Sequence, residues 1–371
     1  MSHGSPSKAA AQALRLSRPS LPSLTAYTEL LETTWDDGWL SNFGPHGRRF
    51  EGACAGYTGL SHVRAVANCD IGLALAVRAL GIPPGARVIV PSFTFPSTLH
   101  ALLWNGLEPR FADVDPDTWC LTAESAAPAV DAATRAIVGT HSFMSVCDVD
   151  GLERLAGDAG ATLLFDAAQA FASWIGERHV GTYGDASVFS FSPTKIATCG
   201  EGGLAAFRDP AHAERFEALR SYGSDDGELV GLNARLSEPH AALGCLTVED
   251  VEEEVARRAR LADRYRERLA SLPGVRLQAG TSELRPTPTL LVADLGSARA
   301  PVAAALAAEG IETRRYFTPL HTQPGFAGIA AAPLPVSERL GDGALALPLH
   351  GQLDEADVDR VCDAVGLAIS G

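Results

Sequence analysis

Short apolar runs alternate with amphipathic stretches between Ala65 and about Ala205. Val88–Val90, Pro109–Val114, Ala136–Val138 and Thr162–Phe165 read as buried strands, each bounded by polar or turn residues. Leu73–Leu80, Ser97–Trp104 and Val149–Gly157 carry helical spacing and fall between them. Strands alternating with helices require crossover connections and a mainly parallel sheet, so the fold class is α/β. Ligands collect at the carboxyl edge of such a sheet, where the polar residues that end each strand should lie.

The flanks read differently. Residues 1–20, rich in Ser, Ala, Pro and Arg, carry no apolar period and are expected to be a flexible leader. Leu24–Trp39 is amphipathic, and Ser41–Pro45 is a turn signal. Thr247 opens a long helix to about Leu272, with Val248, Val251, Val255, Ala259, Ala262, Tyr265 and Leu269 near one face; Pro273-Gly274 stops it. Beyond it come a strand (Thr289–Val292) and two helices (Pro301–Glu309 and Glu355–Ile369), the pattern of a smaller α+β unit. The expected organisation is a leader at 1–20, a large domain at 21–248 and a small domain at 249–371.

Composition narrows the function. The 371 residues carry a net charge of −15, which leaves no electrostatic footprint for nucleic acid or an anionic membrane. No apolar run approaches the ~20 residues of a membrane span, and the N-terminus lacks the order of a signal peptide. Seven scattered cysteines without a C-x-x-C pair argue for reduced thiols, with neither a zinc site nor a disulfide framework. A soluble cytoplasmic protein without a bound metal is expected. Motifs for zinc proteases, P-loops and nucleophile elbows are missing. Gly341–Ala346 fits G-x-G-x-x-A but precedes an apolar run instead of opening a helix, so it is read as accidental.

Of the 30 basic residues only Lys8 and Lys195 are lysines. Arg replaces Lys at most exposed positions, but it cannot shed its proton to become a nucleophilic amine. Lys8 lies in the leader. Lys195 lies in Phe189-Ser190-Phe191-Ser192-Pro193-Thr194-Lys195, and Gly200-Glu201-Gly202-Gly203 lets the backbone turn closely behind it. Asp166, in Asp166-Ala167-Ala168-Gln169, follows the Thr162–Phe165 strand. It reads either as a helix N-cap or as a carboxylate at the sheet edge. An edge Asp and a lone Lys in a hydroxyl-rich loop fit pyridoxal phosphate. The amine forms a Schiff base with the aldehyde, and the carboxylate keeps the pyridine nitrogen protonated.

These segments resemble the DegT/DnrJ/EryC1/StrS family of nucleotide-sugar aminotransferases. The markers are Leu40–Pro45, Val90–Phe95, Asp113–Thr118, Asp166–Gln169, Phe189–Lys195, Gly200–Gly203, Gly231–Arg235 and Pro319–Gln323. The resemblance implies a fold-type I pyridoxal-phosphate transferase, with a mainly parallel seven-stranded sheet between helices and a smaller C-terminal α+β domain. It also implies roles. Lys195 carries the cofactor and moves the proton, Asp166 pairs with the pyridinium, and Gln169 contacts the phenolic oxygen. Ser190 binds phosphate, Phe95 stacks on the ring or is a plain core residue, and Asn233 reaches the phosphate of the other subunit of a homodimer or merely turns the chain. Where the family commonly has a small or hydroxyl residue, this chain has Asn68-Cys69-Asp70-Ile71-Gly72. Backbone N–H groups around Asp70 and Ile71 are therefore expected to bind the phosphate; the alternative is that Asp70 caps the helix with its side chain turned aside.

The activity implied is transfer of the amino group of L-glutamate to C4 of dTDP-4-keto-6-deoxyglucose, in an antibiotic-sugar or glycan pathway. Phe143–Val149 resembles the C4 subgroup but lacks its Gly-Asn-Pro. A keto-cyclitol aminotransferase and a catalytically silent regulatory homologue are the alternatives.

Overall fold

In the computed structural model, which describes residues 13–280 and 283–370, seven strands form one sheet. Their spatial order is Val63–Val66, Gly203–Phe207, Ala186–Ser190, Thr162–Asp166, Thr134–Thr140, Arg87–Pro91 and Glu108–Ala112. All run in one direction except Gly203–Phe207, which is antiparallel to both neighbours. This is the expected α/β class. Both faces are covered, which explains the unbroken apolar runs: Val88, Val90, Ala136 and Val138 enter one apolar cluster, while Ile89 and Ile137 enter another on the opposite face. Three strands were not legible as apolar runs. Val63–Val66, Ala186–Ser190 and Gly203–Phe207 have four or five residues and are broken by Arg, Ser, Ala and Gly.

Register fixes what the sheet presents at its carboxyl edge. Thr140 pairs with Asp166, Asp166 with Val188, and Ser190 with Gly203. Thr140, Asp166 and Ser190 therefore end three adjacent strands, Ser190 two residues beyond the Val188 that pairs with Asp166.

Two expectations are corrected. The long helix expected from Thr247 is two helices, Glu238–Glu249 and Val251–Leu269, meeting at Asp250. The break lets Cys245, Val248, Val251 and Val255 share one apolar cluster while Leu261, Tyr265 and Leu269 turn into another. Residues 1–12 of the expected leader, Lys8 included, lie outside the described residues. From Ala13 the chain is packed, not free: Leu14 and Leu16 are buried, and the Leu14 N–H donates to Gly310 O at 2.9 Å. Two alternate apolar residues give this short segment a buried face.

The C-terminal part has its own antiparallel sheet, Arg276–Leu277, Leu291–Asp294 and Ala344–Leu347. It packs on Arg299–Ala308, Glu355–Ser370 and the long helix through Tyr265, Val302, Leu306, Leu347 and Val361. The Gly341–Ala346 match ends a helix and starts a strand, the reverse of a dinucleotide loop. All seven cysteines are buried and unpaired. Among the described residues, no helix is long and apolar enough to cross a membrane, and no cluster of three or more His, Cys, Asp or Glu could hold a metal.

Candidate active site

The loop after Ser190 is closed at its neck. The Cys199 N–H and the Thr198 hydroxyl both donate to Phe191 O, at 2.9 and 3.0 Å. A turn inside the loop, Lys195 N–H to Ser192 O at 3.1 Å, carries Lys195 back over the sheet edge. Behind it, Gly203 allows a close approach. A Cβ there would lie 2.8 Å from the Asn68 carbonyl carbon and 2.9 Å from Cys69 N. The absence of that atom lets the N-terminus of the helix Cys69–Ala79 rest against the strand beside Ser190.

These elements enclose a cavity of about 270 Å³. Six of the eight candidate residues line it: Lys195, Asp166, Asp70, Phe95, Gln169 and Ser190. Phe95 stands at the head of the helix Pro96–Trp104 and is 49% exposed, so it is a wall of the cavity and not a core residue. Ile71 is not in the lining, and its N–H is already engaged by Asn68 Oδ1 at 2.9 Å. The expectation that Ile71 offers a free backbone donor is thus corrected: Asn68 caps the helix, leaving Cys69 and Asp70 as the first-turn N–H groups without a partner among the described residues. Asn233 does not line this cavity within one chain, although the Ala67 N–H beside Asn68 donates to the O of its neighbour Ala234 at 2.8 Å. It ends an exposed hairpin made of Ser221–Gly223 and Val230–Asn233.

Asp166 is 3% exposed and held at both oxygens. Oδ2 accepts the Thr98 hydroxyl at 2.6 Å, and Oδ1 accepts the Ala168 N–H at 3.1 Å. The cap-like contact and the edge carboxylate are therefore the same group. Burial pushes its carboxyl above the usual carboxylate range; the Thr98 and Ala168 bonds and nearby Lys195 oppose that shift. Burial likewise lowers the Lys195 ammonium below its ordinary value, against the pull of Cys69, Asp166 and Asp70. An amine that sheds its proton more readily is a better nucleophile and base.

Several site residues escaped the sequence reading. Thr98 contacts Thr94 at 2.9 Å, and Thr94 donates to Thr140 at 3.0 Å, so a buried row of hydroxyls backs Asp166. Their spacing in sequence gave no hint, apart from Thr94 and Thr98 standing four apart near a helix start. His141 and Arg314 also line the cavity; neither stood in a motif.

The donor set fits pyridoxal phosphate. An amine and a buried carboxylate face one cavity, an aromatic ring forms a wall, and a serine hydroxyl with two open helix N–H groups lies toward one end. Asp70 is of the wrong sign for a phosphate, and Glu201, two residues before Gly203, also lines the cavity.

The DegT/DnrJ/EryC1/StrS aminotransferase family model matches residues 25–366. A GDP-perosamine synthase of Caulobacter vibrioides is 34% identical over 348 residues, covering 91% of this chain and 92% of that protein. A dTDP-4-amino-4,6-dideoxy-D-glucose transaminase of Escherichia coli is 28% identical, covering 93% and 96%. The crystal structure of DesI in the presence of its TDP-sugar product superposes with a TM-score of 0.91 at 37% identity, covering 97% of this chain and 93% of that one. The chain belongs to the DegT/DnrJ/EryC1/StrS aminotransferase family and is a pyridoxal-phosphate-dependent sugar aminotransferase.

Proposed function

We propose that the chain moves the amino group of L-glutamate onto C4 of a nucleotide-linked 4-keto-6-deoxy sugar, dTDP-4-keto-6-deoxyglucose first among them, in antibiotic-sugar or glycan synthesis. The observation that carries the chemistry is that Lys195 and Asp166 open into one cavity. Likeness to DesI with its TDP-sugar product and to the E. coli dTDP-sugar transaminase supports the nucleotide, and the latter's name supports the carbon. A GDP-linked sugar is the second reading, favoured by the 34% likeness to the Caulobacter perosamine synthase.

Pyridoxal phosphate supplies an aldehyde that links to amines and a ring that takes up electron density. Lys195 would hold it through Nζ and, with the donor bound, would take up the proton from the donor's α-carbon on that same nitrogen. Asp166 holds the ring nitrogen's proton through a charge-assisted hydrogen bond. Phe95 covers one ring face, Gln169 meets the phenolic oxygen, and Ser190 with the Cys69 and Asp70 N–H groups receives the phosphate. Arg314, 5.2 Å from the Tyr316 ring, offers a cation for an acidic substrate entering an acidic protein. The same set then runs in reverse on the keto sugar, giving ping-pong kinetics.

The test is a screen in which glutamate-treated holoenzyme, freed of excess donor, meets single acceptors. dTDP-4-keto-6-deoxyglucose should restore the cofactor's visible absorbance fastest, ahead of the GDP sugar and of keto-cyclitols. A response to cyclitols alone would overturn the substrate reading. Lys195→Arg should show neither the band nor turnover, and appreciable turnover would remove Lys195 from its role.

The proposed assembly is a two-fold homodimer with shared sites. It is supported by the hairpin that bears Asn233, whose Val230 and Leu232 are 69% and 51% exposed. Asn233 would complete the partner's phosphate site. Lys195→Ala chains mixed with Asn233→Asp chains should then regain activity, because each hybrid has one site free of both changes. Verified hybrids no more active than the parents would show that Asn233 is structural.

A further inference from the structure

The wall beside Asp166 ends in a histidine that none of these roles uses. His141 directly follows the strand Thr134–Thr140, and its backbone N–H donates to Asp166 O at 3.0 Å. Its ring is 1% exposed and lies on Phe165, with centroids 4.7 Å apart and planes at 20°. Nδ1 accepts the Cys147 N–H at 3.1 Å, so the ring proton of the neutral form sits on Nε2. Nε2 has no partner among the described residues, although His141 lines the same cavity as Lys195. Burial, reinforced by His179, lowers the His141 pKa to about 3. The ring is therefore a neutral donor, and a buried donor without an acceptor is costly unless a ligand satisfies it.

Strand order says which part of the cofactor it meets. Ser190, Asp166 and Thr140–His141 end three consecutive strands, with Asp166 in the middle. The helix N-terminus lies on the Ser190 side, since Gly203, the partner of Ser190, abuts Asn68 and Cys69. In pyridoxal phosphate the phosphate arm and the phenolic oxygen leave the ring on opposite sides of the line from the ring nitrogen to the aldehyde carbon. Phosphate toward Ser190 and nitrogen at Asp166 direct that oxygen toward His141. Gln169 is fixed there as well: its Oε1 accepts the Phe143 N–H, which leaves its amide NH₂ as the free donor.

We propose that His141 donates its Nε2–H to the phenolic oxygen of pyridoxal phosphate, as a second donor beside Gln169. The inference rests on the cofactor placement proposed above. Its consequence is chemical. An oxygen held by two donors competes less well for the proton it shares with the Lys195 nitrogen, so that proton leaves at lower pH. The charged and titratable groups around that proton are Lys195, Asp166, Asp70 and Cys69, with Glu201, Glu312 and Arg314 on the walls of the same cavity; His179, which acts on the His141 ring, is itself buried, with its pKa lowered to about 4.

The test titrates holoenzyme between about pH 5 and about pH 10, following the cofactor's visible band. His141→Phe keeps an aromatic ring but has no donor, and its midpoint should rise by about one unit, the size of one hydrogen bond to a charged oxygen. His141→Gln keeps a donor and should fall between that variant and the parent. An unmoved midpoint in band-retaining His141→Phe overturns the inference, as does an equal rise in both variants. The parent chain gives a second readout if His141→Phe fails to fold. With ¹⁵N-labelled histidine, the Nε2 proton of His141 should shift downfield and gain protection from exchange when pyridoxal phosphate is added to apoprotein. An unchanged resonance on binding overturns the inference alone, whereas a parent protein with no cofactor band overturns the placement beneath it.

Discussion

The two ends of the cavity are built in opposite ways. At the Asp166 end the protein is dry and the carboxylate is already held: both its oxygens are bonded, and Thr94, Thr98 and Thr140 behind them are buried. At the Ser190 end the groups are loose. Asp70 is exposed, the Ser190 hydroxyl meets only the Ser192 N–H at 3.4 Å, and the Cys69 and Asp70 N–H groups await a partner. Adjacent strands thus separate two tasks. Holding a charge in the interior needs donors fixed in advance, because an unpaired buried carboxylate is far costlier than an exposed one. Gripping a phosphate near solvent needs only donors that converge when it arrives.

Removing the fixed charge should give the largest effect. Asp166→Asn should retain cofactor but lose orders of magnitude in rate, because a neutral amide cannot hold the ring nitrogen's proton. Thr98→Val keeps the shape and the carboxylate but removes the 2.6 Å bond. One hydrogen bond to a charged group corresponds to roughly ten- to a hundredfold in kcat. Single-turnover rates with saturating glutamate measure both. If Thr98→Val matches the parent, the hydroxyl row is packing and the two ends differ only in burial.

Dryness at the Asp166 end also carries an acid limit. Burial holds His141 at a pKa of about 3 and His179 at about 4, whereas unfolded histidines titrate near ~6.5. Between these values the unfolded chain binds more protons than the folded one, so stability falls as pH drops below about 6.5 and is unaffected by these groups above it. Each histidine adds one proton to the slope of unfolding free energy against pH. His179→Gln should therefore lower that slope by about one proton in urea melts between about pH 5 and about pH 6. An unchanged slope would put His179 in contact with water.

Legibility in the sequence followed residue scarcity and run length. Val88–Val90 and Thr162–Phe165 announced their strands, but Ala186–Ser190, half small and polar, did not. The break at Asp250 was invisible because the apolar periods of two helices merge across it. Lys195 stood out as one of two lysines, and Asp166 by ending a strand. Thr98 had no such mark: its bond joins residues 68 positions apart, and only the sheet's register brings them together. Ile71 could have been read better, since an Asn three residues before it is a helix-cap pattern.

The smallest effect, and the one that most sharpens the contrast, belongs to Asp70. A carboxylate beside a phosphate carrying nearly two negative charges repels it. The first-turn N–H groups of Cys69 and Asp70 work against that repulsion, without help from Ile71, whose N–H belongs to Asn68. Asp70→Thr removes the charge and adds a hydroxyl donor at the same helix terminus, where Thr is also well tolerated. Affinity of the apoprotein for pyridoxal phosphate should rise about tenfold, the size of one net hydrogen bond together with lost repulsion. Because the site is open, salt should screen the repulsive part, and the gain over the parent should shrink as ionic strength rises toward about 1 M. Titrations of apoprotein at low and high salt decide the matter. A gain that ignores salt would assign the effect to the new hydroxyl alone. No gain at either salt would mean that the Asp70 carboxylate turns away from the phosphate, leaving the Ser190 end as well prepared as the Asp166 end.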